Sequence, residues 1–148
     1  MDTAKVELTE KNLLEFMVFY NEFHDATIKN LEYNIFRSRV ALNLHVMWQG
    51  CHSGKGRKFT TPKEAELTLV FEDVIRLNIH EIDTADYIHD VFFQYITKND
   101  VEGTMWCDKP VFVFALGKEF DCSEYIFNGV RKPSFETFIV CEKAFYAI

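Results

Sequence analysis

Between Val40 and Trp48 every second residue is apolar (Val40, Leu42, Leu44, Val46, Trp48). The same period returns in Ala65, Leu67, Leu69 and Phe71 and runs on through Ile75, Leu77 and Ile79. Most residues between these are polar, which specifies strands of an antiparallel sheet with one face on a core and the other near water. Glu72 and Asp73 interrupt the second stretch, as either a tight hairpin or a bulged continuation. The period changes between Thr9 and Phe23, where Leu13, Phe16, Met17, Tyr20 and Phe23 recur at three- and four-residue steps and form one stripe of an amphipathic helix. Thr9 is placed to cap that helix, and Glu10 sits in its first turn, where the dipole favours an acid. The stripe is read as core, lying across one face of the sheet, rather than as a ligand platform.

Weaker patterns complete the set of elements. Thr27 to Asn34 reads as a strand carrying Ile28, Leu31 and Tyr33, and Gln49 to Lys63 as a long polar loop with Gly50, Gly54, Gly56 and Pro62. Thr84 to Ile96 fits two periods: Ile88, Val91, Phe92 and Tyr95 suit a helix, whereas Val91, Phe93 and Tyr95 alternate as in a strand. A short helix is the preferred reading. The unbroken apolar run Val111 to Leu116, bounded by Pro110 and Gly117, fits a central strand covered on both faces. Tyr125, Ile126 and Phe127 lead as a strand into the turn Asn128-Gly129, and Thr137 to Tyr146 forms the last strand. The fold class is therefore α+β: an N-terminal amphipathic helix packed on a mostly antiparallel β-meander sheet, with a strongly curved or barrel-like sheet as one variant. No repeat or boundary divides the chain, so residues 1–148 are read as a single domain.

Composition sharpens this picture. Fifteen Phe, six Tyr and two Trp against three Pro and six Gly favour a packed, strand-rich globule over disorder. The formal charge of −7 disfavours nucleic acid and anionic membranes as partners, since both are negative, and suits a basic protein. No segment approaches the roughly 18 apolar residues of a membrane span, and the N-terminus lacks the apolar region of a secretion signal; the expected location is cytoplasmic. Cys51, Cys107, Cys122 and Cys141 are scattered without a C-x-x-C pair and are read as small buried hydrophobes.

Candidate chemistry is sparse. His24 and Asp25, at the exit of the helix, are a base with its orienting carboxylate or, on the structural reading, a junction that gains from the helix dipole. Neighbours on a strand point to opposite faces, which weakens the catalytic geometry. His89-Asp90 repeats the dipeptide, while His45 and His80 occupy the polar phase of their strands and are read as facing solvent. A metal site would draw on His24, His45, His52, His80 and His89, but none shows ligand spacing such as H-x-x-x-H, so no metal and no cofactor is expected. Gly50 to Lys58 groups Cys51, His52 and Ser53 with Lys55, Arg57 and Lys58. It lacks the spacing of a Walker loop and reads as a basic hairpin tip able to touch an anion.

Phe-Tyr-Asn-Glu-Phe-His-Asp-Ala-Thr-Ile at 19–28, Val-Ala-Leu-Asn-Leu at 40–44 and Glu-Leu-Thr-Leu-Val-Phe-Glu-Asp-Val at 66–74 resemble a family of small bacterial proteins. In that family a helix ending in Phe-His-Asp-x-x-Ile leads into a β-meander, and some relatives are similar to proposed immunity proteins of toxin systems. The resemblance implies partner binding and transfers no active site. The leading expectation is a non-enzymatic domain whose sheet edge or acidic face binds another protein. Asp73, Glu81, Asp83, Asp86 and Asp90 would form such a face if they cluster. The alternative is a small-molecule-binding protein or hydrolase using His24, Asp25 and His45 in a pocket between helix and sheet. A homodimer through an edge strand is a third expectation.

Overall fold

The computed structural model describes residues 4–48, 63–79, 88, 91–97, 109–116 and 137–148. Seven strands form one sheet: β1 (Val6–Leu8), β2 (Thr27–Asn34), β3 (Arg39–Trp48), β4 (Lys63–Asn78), β5 (Phe92–Ile96), β6 (Val111–Ala115) and β7 (Phe138–Ala147). Among the described residues one helix, α1 (Leu13–Phe19), and a 3-10 turn at Asn21–Phe23 lie between β1 and β2. The strand order is β2-β3-β4-β7-β6-β5 and every pair is antiparallel. Two meanders, β2-β3-β4 and β5-β6-β7, thus join along β4 and β7. The edge of β7 away from β4 is shared, with β6 opposite Phe138 to Cys141 and β1 opposite Ala144 to Tyr146. The sheet is open, since its two end strands β2 and β5 do not pair. The barrel-like variant is corrected on that ground.

Alternation builds the core as expected. Val40, Leu42 and Leu44 stand directly opposite Phe71, Leu69 and Leu67, and all six are at most 1% exposed. Removing such side chains from water stabilises the fold by roughly 1.5–3 kcal/mol each. The predicted stripe Leu13, Phe16, Met17, Tyr20 and Phe23 is buried on the same cluster. Seven residues make a helix too short to stand alone in water, so α1 is held by this packing. The Phe16 ring touches those of Tyr20, Phe23 and Tyr146 at 5.2, 5.7 and 4.5 Å between centroids. The helix starts later than predicted, with Asn12 and not Thr9 as its N-cap residue. Thr9 instead closes a preceding turn: its N–H donates to Asn12 Oδ1 at 2.6 Å and its hydroxyl accepts from Asn12 N at 3.3 Å.

The interruption at Glu72-Asp73 is a bulged continuation. Asp73 adopts a left-handed φ of 52°, and the register with β7 shifts between Val74 and Arg76. The extra residue reverses the phase, so Ile75 packs on a second apolar cluster, Leu77 returns to the first and Ile79 is exposed. The preferred helix within 84–96 is corrected over Phe92–Ile96, which is strand β5. Pairing with β6 places Phe93 and Tyr95 toward the cluster under α1, and Phe92 and Ile96 toward the other cluster. A helix would have left β6 without a neighbour on that side. β6 itself is buried on both faces as predicted, with Phe112 and Phe114 on the α1 side and Val111, Val113 and Ala115 on the opposite side. The strand expected at 125–127, the loop at 49–62 and residues 84–87 lie outside the described residues. Among the described residues no helix is long and apolar enough to cross a membrane.

Candidate functional site

The junction singled out by sequence, between the helix and β2, is a turn. Glu22, Phe23 and Asp25 take positive φ angles of 54°, 59° and 65°, which costs non-glycine residues of order 1–3 kcal/mol each. Three observations explain how this backbone is held. Phe23 is fully buried on the Phe16 ring. Ala26 N–H donates to Phe23 O at 3.0 Å. Asp25 N–H donates to Ile88 O at 3.0 Å, and Ile88 N–H donates to Ala26 O at 2.7 Å. The reversal lets adjacent side chains meet, and His24 Nδ1 lies 3.1 Å from Asp25 Oδ2. Both side chains are more than half exposed, at 54% and 59%. The objection drawn from strand geometry therefore falls away, and the burial expected of a catalytic pair does not replace it.

His45 sits in a different setting. On β3 it alternates with the buried Leu44 and Val46, so it lies on the outer face of the sheet, away from α1, and does not join His24 and Asp25 between helix and sheet. Glu66 stands directly opposite on β4, and His45 Nδ1 meets Glu66 Oε1 at 2.9 Å. Glu64 Oε2 is 3.7 Å from Nε2. One step along the same face, Thr68 Oγ1 donates to Asn43 Oδ1 at 2.7 Å across the same strands. The His45 side chain is 27% exposed on that outer face, where it is a member of a cross-strand polar ladder. Glu32 on β2, opposite Ala41, adds another exposed carboxylate to the face. Glu72, further along β4, is held by Lys5 Nζ at 3.0 Å.

Three grooves among the described residues bear on a site. One of about 380 Å³ lies between α1 and the end of β7, lined by Phe16, Phe19, Tyr20 and Tyr146. Burial, and then the neighbouring Tyr146, raise the Tyr20 hydroxyl above the ordinary phenol value. A second, of about 540 Å³, separates Leu13, Leu14 and Met17 from β5. The third, of about 520 Å³, lies at the turn between β2 and β3 and is lined by Tyr33, Phe36 and Arg39. None of the three is lined by His24, Asp25 or His45.

Among the described residues no group of three or more His, Cys, Asp and Glu side chains is arranged to hold a metal ion. Cys141 is a free, fully buried thiol, and burial raises it far above the ordinary cysteine value, so it is inert in the fold. Of the acidic residues expected to cluster, Asp73 is on the surface beside Lys143 at 3.8 Å. Glu81, Asp83, Asp86 and Asp90 lie outside the described residues, as do His52, His80, His89 and the loop 50–58. Ile35, Phe36, Arg37 and Arg39 were not singled out by sequence, and Tyr33 only as an apolar member of its strand. The signal available was the apolar pair Ile35-Phe36 between two strands, where turn residues are ordinarily polar. Comparison of the chain with protein-family models, with curated proteins and with solved structures finds no match in any of them.

Proposed function

We propose that the chain is a non-enzymatic protein-binding domain that engages a basic partner through the outer face of β2, β3 and β4. The observation that carries this reading is the set of exposed carboxylates on one open face, Glu32, Glu64 and Glu66, with the imidazole of His45 standing against the last two. An immunity-type role, in which the partner is a toxin, is the form suggested by the resemblance of residues 19–28, 40–44 and 66–74. Carboxylates on such a face steer a basic surface to it and set the register of the complex, in a manner screened by salt. The test is affinity capture at low and high salt, run in parallel with the wild-type chain and a Glu64→Lys, Glu66→Lys variant. A basic protein retained by the first at low salt and lost by the second supports the reading. Equal capture by both chains overturns it.

A second reading rests on the 3.1 Å contact between His24 and Asp25. It makes the chain a small-molecule-binding protein or hydrolase in which Asp25 orients the imidazole and Nε2 is the nitrogen left for substrate. Loss of a turnover or of ligand-induced thermal stabilisation in His24→Ala, with unchanged stability of the unliganded chain, supports this reading over the first. Loss of stability alone assigns the pair to the junction.

A further inference from the structure

We infer that the turn between β2 and β3 is a second binding site, for a peptide segment that carries carboxylates beside an apolar side chain. The site adjoins the acidic face proposed above, with Glu32 lining both, and does not depend on that reading. Three apolar side chains are exposed side by side in sequence: Tyr33 at 46%, Ile35 at 66% and Phe36 at 96%. A contiguous apolar group rimmed by polar residues marks an interaction surface more often than scattered single side chains do. The turn presents it rigidly. Asn34 Oδ1 accepts from Phe36 N and Arg37 N at 3.1 and 3.2 Å, and Ser38 O accepts from Val74 N at 2.9 Å, which anchors the turn to β4. A surface fixed before binding loses little entropy when occupied.

Charge selects the occupant. Arg37 and Arg39 follow Phe36 along the chain, and neither forms an ion pair among the described residues. Arg39 Nε is buried with no hydrogen-bond partner among them. Of the carboxylates around Arg39, Glu72, which follows Phe71 opposite Val40, is engaged by Lys5, and Glu32, which also lines the groove, accepts from Asn30 Nδ2 at 3.5 Å. A buried guanidinium nitrogen without an acceptor is costly, and a carboxylate matches the guanidinium fork with two parallel hydrogen bonds. Tyr and Arg are also the residues most enriched at the energetic centres of protein interfaces. The groove beside them, about 520 Å³, takes the apolar side chain. β2 is an end strand among the described residues, so a segment bound here lies next to a strand edge that none of them pairs.

The probe is a fluorescein-labelled hexapeptide alternating glutamate and leucine, titrated in parallel with hexapeptides alternating lysine or glutamine with leucine. Anisotropy is read for the wild type, Arg37→Gln, Arg39→Gln and Phe36→Ala. Arg37 and Phe36 are exposed, so their variants remain informative even if Arg39→Gln is poorly folded. The expected result is binding of the glutamate peptide at least about ten-fold tighter than the lysine peptide, weakened about ten-fold by either arginine substitution and also by Phe36→Ala. Equal or tighter binding of the lysine peptide, no binding of the glutamate peptide, or binding indifferent to Arg37 and Phe36 overturns the inference. So does a concentration-dependent dimer of the wild type abolished by Phe36→Ala, which would assign the turn to a second copy of the chain.

Discussion

The two ends of strand β3 carry opposite chemistry on the same sheet face. At its start, Arg39 and the preceding Arg37 stand without ion pairs among the described residues beside the exposed Phe36. Six residues on, or roughly 20 Å along the strand, His45 stands against Glu66 and Glu64. A net charge of −7 conceals this division. Partner chemistry is set by which side chains the sheet register gathers into one patch, and a single chain can present two patches of opposite preference.

Both ends rest on one core, so the largest expected effect comes from the inward phase of β3. Leu44→Ala should cost about 2–5 kcal/mol in urea unfolding. A cost confined to well under 1 kcal/mol would mean that the inward side chains do not hold the face together. Next comes charge reversal at the acidic end. Glu64→Lys with Glu66→Lys should weaken a basic ligand at least about ten-fold while leaving binding of the glutamate peptide at the arginine end within about two-fold. A loss at both ends would merge the two patches into one.

Alkaline pH probes the core beneath them. Burial raises the Cys141 thiol, so the folded chain keeps a proton that the unfolded chain releases above about pH 8.5. The contribution is whole below that pH and is lost as pH rises, with a slope of about 1.4 kcal/mol per pH unit; Tyr20, raised for the same reason, adds to the loss above about pH 10. Urea midpoints at pH 8 and pH 9.5 should therefore converge in Cys141→Ala and separate in the wild type. The smallest effect belongs to His45→Ala, below about 1 kcal/mol in stability, because the pair it forms with Glu66 is partly exposed and solvent-screened. A larger loss would make the polar ladder a structural element rather than a recognition surface.

What sequence could reveal divides along the same line as local and distant contacts. The alternation from Val40 to Val46 and the stripe from Leu13 to Phe23 are local patterns with strong periods, and both reached the core as expected. β5 was misread because aromatic residues at 92, 93 and 95 fit two periods, and only its partner β6 decides between them. β1 was missed because three residues carry too little periodicity to read. A contact of His24 with Asp25 is one reading the sequence leaves open, but the left-handed turn that permits it is not legible there, since no glycine marks the positions of Glu22, Phe23 and Asp25. The cross-strand pair His45 with Glu66 spans 21 residues and follows from register alone. The unpaired Arg39 is visible only when every neighbouring carboxylate has been assigned.

The most direct measurement is a two-dimensional amide NMR titration of the 15N-labelled chain with the lysine-leucine and the glutamate-leucine hexapeptides in turn. The lysine peptide should move resonances of Asn43, His45, Glu64 and Glu66, and the glutamate peptide those of Tyr33, Phe36, Arg37 and Arg39. Shifts from both peptides at one common end, or confined to the grooves along α1, would contradict the division of the face into two binding patches.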